Sequence, residues 1–259
     1  MREALLAELL KVRRSLMPWL TAGTFTFVAA VCAIFMFILA DPARARALGL
    51  LGDKAQLSGA AADWPGYLAL LAQATGVGGL IIFGTVVTWL FGREFSDRTA
   101  KDLLALPTSR GAVVAAKFAV AAGWAVLLAL WTAVLGLLAG IPLDLPGASS
   151  AVVAGGVARI VVTALLTLVL TTPFALAASA GRGYLPAVGA MFAAMFSAQV
   201  IAALGYGAFF PYSVPGLYAG IAGPGHDPPG PLGHLLVLAV GVAGVAATTI
   251  WWKRADHDR

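Results

Sequence analysis

The sequence predicts an all-α membrane protein with six transmembrane helices. Of its 259 residues, 60% are hydrophobic and 11% charged, against about 45–50% and about 25% in an average soluble domain. Mean hydropathy is +0.90. The apolar residues also fall into six separate runs near the length of about 20 residues that crosses a hydrocarbon core about 30 Å thick. A soluble fold of this size has too little interior for so much apolar surface. A soluble globular enzyme, a disordered chain and a disulfide-built secreted domain are thereby excluded.

Residues 1–17 are too polar to span. Leu5, Leu6, Leu9, Leu10, Leu16 and Met17 gather on one helical face, while Glu3, Glu8, Lys11 and Arg14 lie mostly elsewhere. That is the pattern of an interfacial helix lying along the headgroups; a frayed basic tail is the plainer alternative. The spans follow at residues 19–40, 67–91, 118–141, 160–180, 185–210 and 232–252. Each is helical, because lipid offers no partner to a free backbone N–H or C=O. The first run has 22 residues, too many for a signal-peptide core of about 7–15. The basic start and Ala43-Arg44-Ala45 are therefore not read as a cleaved leader.

Within the fourth run, Pro173 follows Thr171 and Thr172, whose hydroxyls can serve the carbonyls that a kink frees. Residues 211–231 are rich in Pro and Gly, yet Val214, Leu217, Tyr218 and Ile221 keep them apolar. They are expected to form a re-entrant segment at the outer face. Trp19, Trp89, Trp251 and Trp252 sit at expected interfaces, where indole is favoured.

Thirteen of the 17 Lys and Arg fall on the side of the two termini, and only Arg44, Arg46 and Lys54 on the other. By the positive-inside rule both termini are cytoplasmic in a multi-pass protein of the inner (plasma) membrane. The same bias accounts for the net charge of +5 without invoking nucleic acid. The longest cytoplasmic connection, about 26 residues, joins the second and third spans.

Little in the chain suggests chemistry of its own. No Asp, Glu or Lys lies in the middle of a run, which argues against an ion-coupled transporter. Arg159, at the edge of the fourth run, either snorkels to water or meets a substrate or lipid. His226, His234 and His257 are poorly placed for an intramembrane dyad, Cys32 is the only cysteine, and there is no zinc motif or P-loop. No catalytic residue, metal ligand or bound cofactor is expected. Gly136-x-x-x-Gly140 and Gly216-x-x-x-Gly220 have close-packing spacing. Residues 1–141 and 150–259 show no self-similarity of the kind that builds inverted-repeat transporters.

The connection between spans two and three is the informative stretch. Its order is Glu94, Asp97, Thr99, then Leu103-Leu104-Ala105-Leu106-Pro107-Thr108-Ser109-Arg110, then Lys117. A short helix ending before Pro107 is expected there. This order resembles the cytoplasmic signature of ABC-2 (type-2 ABC exporter) permeases, with Arg98 where that family often has glycine. The overall plan is similar too, and most like the short permeases of drug, bacitracin and bacteriocin resistance exporters.

The resemblance implies a single transmembrane permease domain, residues 1–259, with no catalysis of its own. Residues 92–110 would form a coupling helix that docks in a separate ATP-binding subunit. Glu94, Asp97, Arg98 and Lys101 would be contact or orientation residues and Leu103, Leu104 and Leu106 would anchor the helix, with Thr99, Pro107 and Arg110 completing the coupling segment. Two ATPase subunits, which hold the ATP and Mg, would serve two permeases, either a homodimer or a pair with a related permease. The implied function is ATP-driven export of an amphipathic or hydrophobic substrate; a sensor or immunity component using the same docking is the alternative. An intramembrane enzyme is the third reading and has no motif behind it. No residue can be assigned to substrate. Reversing Glu94 and Asp97 together is expected to weaken docking.

Overall fold

A computed structural model describes residues 2–50, 61–99, 108–223 and 229–254. Among these residues every element is helical and there is no strand. The α-helices in chain order are α1 (Arg2–Arg13), α2 (Met17–Ala40), α3 (Pro42–Ala47), α4 (Trp64–Ser96) and α5 (Arg110–Gly140). They continue as α6 (Ser150–Leu170), α7 (Thr172–Ala180), α8 (Leu185–Ala203), α9 (Val214–Tyr218) and α10 (Pro231–Arg254). Six helical stretches are long and apolar enough to cross a membrane: α2, α4, α5, α6 continued by α7, α8 and α10.

Local chemistry sets the boundaries. Asp63 opens α4 by accepting from the Gly66 N–H at 2.7 Å, with proline in the first turn. Ser109 and Ser149 cap α5 and α6 by accepting from Ala112 and Val152. A side-chain oxygen placed this way satisfies an N–H that the helix start leaves open. Because these caps lie beyond the apolar runs, the helices outgrow them. The connection between α4 and α5 shrinks to residues 97–109, about half its expected length. The helix containing Arg159 begins at Ser150, so this arginine lies inside a helix and not at its edge. In the other direction, α8 stops at Ala203 instead of reaching Phe210, because Gly205 takes a φ of 86° and turns the chain.

The kink in the fourth span is built as expected. Pro173 cannot donate to the Val169 carbonyl, and the Thr172 hydroxyl donates to it at 2.9 Å and to the Gly241 carbonyl of α10 at 3.0 Å. The Thr171 hydroxyl takes the Leu168 carbonyl. Thr172→Val should therefore lower thermal stability in detergent by about 0.5–1.5 kcal/mol, the range for a hydrogen bond between membrane helices; an unchanged melting point would remove the hydroxyl from this role.

α4 runs through the middle of the molecule, with Tyr67, Leu71, Val87, Leu90 and Phe91 fully buried. Gly136 and Gly140 of α5 give room to Leu71, Trp64 and Tyr67, so the first glycine pair packs helices within this chain. The second pair does something else: Gly216 sits in α9 and Gly220, at φ 86°, ends that short helix. α9 is lodged among the long helices, with Val214 and Ala219 fully buried. Pro215 and Gly216 rest against Gly76 of α4, about 18 Å along that helix from Trp64 at 1.5 Å per residue. Gln73 ties the turn after α9 by donating to the Gly220 carbonyl at 3.1 Å.

Candidate functional site

One end of the bundle gathers α1, the last turns of α4, the first turns of α5 and the last turn of α10. Lys117 of α5 is completely buried there and uses all three of its protons. Its Nζ donates to Glu8 Oε2 at 3.1 Å, to Glu94 Oε1 at 2.9 Å and to the Leu90 carbonyl at 2.7 Å. Lys11 of α1 donates to Glu8 Oε1 at 2.9 Å and to Glu94 Oε1 at 2.7 Å. The Thr99 hydroxyl donates to the second Glu94 oxygen, Oε2, at 2.8 Å. Two carboxylates and two ammoniums cancel, so the buried cluster is neutral. Glu8 and Glu94 are 1% and 2% exposed, and a buried charge is tolerable only when paired and hydrogen-bonded like this. Burial disfavours the Lys11 ammonium, but hydrogen bonds and charge from Glu8 and Glu94 outweigh it and raise its pKa above the ordinary lysine value.

The cluster also fixes how α1 lies. Ala4 and Glu8 face the protein, with Leu5 and Val12 partly packed against the core, while Leu6, Leu9 and Leu10 point outward. Most of the leucine face is thus exposed, as an interfacial helix would present it to lipid, and the face toward the protein carries charge. The sequence pattern does not mark Glu8 or Lys11 as members of a site, and it holds Lys117 only as the last residue of the family-like order. Lys117 left a trace: Val113, Val114, Val120 and Ala121 share its side of α5, and all are buried.

Around the cluster, aromatic rings seal the helix ends. Phe91, Phe95, Trp251 and Trp252 contact one another edge-on, and the Trp252 indole donates to Ser179 Oγ at 3.0 Å. Arg93 stacks over Trp89 at 4.6 Å and reaches Asp97 at 3.9 Å.

The residues singled out by the sequence separate in space. Glu94 is buried in the cluster. Asp97, Arg98 and Thr99 are exposed on the chain leaving α4. Arg110 instead turns back to the carbonyls of Trp252 and Lys253, a cation at the C-terminal end of α10. Lys101, Leu103, Leu104, Leu106 and Pro107, with the short helix expected there, lie outside the described residues. Arg98 has a φ of 57°, in the left-handed region that suits glycine.

A family model described as an ABC-2 family transporter protein matches residues 4–198, a stretch that includes all four members of the charged cluster. The chain belongs to the ABC-2 transporter family, as a permease. It is similar to the bacitracin transport permease protein BCRB of Bacillus licheniformis, 30% identical over 181 residues, which cover 69% of this chain and 85% of the relative. The ABC-2 permease is thus the non-catalytic membrane subunit of an ABC transporter, and membership implies partnership with an ABC ATPase subunit.

Arg98→Gly in this permease should raise stability by about 0.5–1 kcal/mol, because a side chain in the left-handed region costs about 1–2 kcal/mol and the freer unfolded glycine takes some of that back. Thermal unfolding in detergent tests it; a lower melting point would mean that the arginine side chain contributes more than its backbone strain costs.

Proposed function

We propose that this permease is the membrane half of an ATP-driven exporter, with both termini in the cytoplasm of the cell, where the ATPase docks. It moves an amphipathic or hydrophobic substrate outward, working as a pair of permeases with two ATPase subunits. Residues 92–110 are the coupling segment, which begins in the last turns of α4. Asp97 and Arg98 offer contact groups, and Glu94 is a positioning group that touches no partner itself. Segment 211–231, which carries α9, forms the outer gate, re-entrant from the outer face.

The observation that carries this reading is the Glu8–Lys11–Glu94–Lys117 cluster. It welds α1, α4 and α5 at the root of the connection, and Thr99 extends it three residues beyond the end of α4. A displacement delivered to residues 97–109 therefore reaches two spans and the interfacial helix as one body, the rigid-element motion by which small shifts at an interface become large ones.

The test is reconstitution. The permease, co-purified with its ATPase and placed in vesicles, should move bacitracin, the compound in the relative's name, when ATP is added. A companion ATPase unable to hydrolyse ATP should abolish that movement. Stable, ATP-responsive docking without net movement of bacitracin or of a panel of amphipathic drugs would favour the sensing alternative and overturn export.

A further inference from the structure

At the end of the bundle opposite the charged cluster, a half-open cleft of about 750 Å³ lies between α2, α4, α6 and the turn after α9. Its apolar wall includes Phe35, Met36 and Leu39 of α2 and Leu70 of α4. A smaller hollow of about 250 Å³ adjoins it, and Ala69 and Arg159 line both. Arg159 is exposed and, among the described residues, has no ion pair or hydrogen bond partner. The other polar groups are already occupied: Gln73 donates to the Gly220 carbonyl, and Asp63 caps the Gly66 N–H.

Depth matters as much as charge. The continuous stretch Ser150–Ala180 has 31 residues, about 46 Å at 1.5 Å per residue. Centred on a hydrocarbon core about 30 Å thick, it overhangs by about 8 Å at each end. Arg159, nine residues from Ser150, then sits about 5 Å below the core boundary, within reach of the headgroup layer. An arginine at this depth is costly without a partner. Snorkelling alone accounts for its charge but leaves the apolar cleft beside it without a use.

We propose that this cleft binds a membrane phospholipid, with the phosphate held by Arg159 and one acyl chain lying along Phe35, Met36 and Leu39. A guanidinium presents paired donors that match a phosphate diester. The cleft volume falls within the range of about 300–1,000 Å³ usual for ligand pockets. The site stands independently of export; only its placement in the outer leaflet rests on the orientation proposed above.

Native mass spectrometry of the delipidated full-length permease in detergent decides it. The probes are dioleoylphosphatidylglycerol and its phosphate-free twin, dioleoylglycerol. The wild-type chain should retain one phosphatidylglycerol about tenfold more tightly than Arg159→Gln, in keeping with loss of a charged hydrogen bond. Dioleoylglycerol should not distinguish the two. Arg159→Lys should restore part of the difference. Ala69→Trp, which fills the cleft and leaves the charge, should lose binding as Arg159→Gln does. Equal retention by Arg159→Gln and the wild type would overturn the proposal, as would full binding by Ala69→Trp. Displacement by millimolar inorganic phosphate would make this a free-anion site and overturn the lipid. Arg159→Gln should elute and melt like the wild type; a chain that no longer folds would make Arg159 structural and equally end the proposal.

Discussion

Lys117→Met should destabilise the permease by about 3–5 kcal/mol, the cost of removing one partner from a buried ionic group. The lysine is completely enclosed, and its three acceptors are Glu8, Glu94 and the Leu90 carbonyl. Methionine fills similar space but returns none of these bonds. It leaves two carboxylates sharing Lys11, with one uncompensated negative charge among Phe91, Val113 and Val120. The loss should appear in detergent as an early melting transition and poor recovery of folded protein. Adding Glu8→Gln to Lys117→Met restores neutrality, since Lys11 and Glu94 remain as a pair at 2.7 Å. The double variant should therefore recover a substantial part of the loss, and the cycle should show coupling of at least about 1 kcal/mol. A Lys117→Met protein as stable as the wild type would mean that the cluster does not hold α1 to α4 and α5.

Much of the fold was legible because lipid simplifies the problem. Apolar runs of sufficient length have to be helices, and all six appear. Proline at 173 behind two threonines announced the kink, whose hydroxyl bonds are as expected. What failed was the treatment of residues just beyond the hydrocarbon. Arg93, Glu94 and Lys117 look like loop charges in a hydropathy window, yet each lies in a helix that continues past the lipid. Span ends are decided by caps such as Ser109 and Ser149 and by turns such as Gly205, which hydropathy does not weigh. The charged cluster was hidden for a different reason. Glu8 and Lys117 are 109 residues apart, and nothing in a single sequence pairs a particular glutamate with a particular lysine. The leucines of α1 point outward, toward where lipid would lie, which leaves its polar side to meet a polar junction. The residues around Glu94 could be connected to coupling only through resemblance to a family, and five of them lie where the structure describes nothing.

Asp97→Arg alone should weaken association with the ATPase subunit by about tenfold or more, equivalent to at least about 1.4 kcal/mol, while changing stability by no more than about 0.5 kcal/mol. Asp97 and Glu94 look equivalent in sequence, two acidic residues at the start of one connection. In space they are opposites. The Asp97 carboxylate is 53% exposed and, among the described residues, pairs with Arg93 at 3.9 Å, a surface pair worth little to the fold. On the proposed docking, a reversed charge there would meet the partner's surface directly, where like charges are costly and encounter is slowed. Glu94→Arg instead buries a third cation beside Lys11 and Lys117 and removes the acceptor for Thr99, so it should fail by unfolding. The combined reversal cannot separate the two causes, since loss of binding follows from loss of structure. Affinity for the ATPase, measured on material whose melting point is first shown to match the wild type, resolves them. Wild-type affinity in a well-folded Asp97→Arg permease would take the docking surface away from residues 97–99. The neutral cluster would then remain as a weld between helices, with no demonstrated tie to the engine.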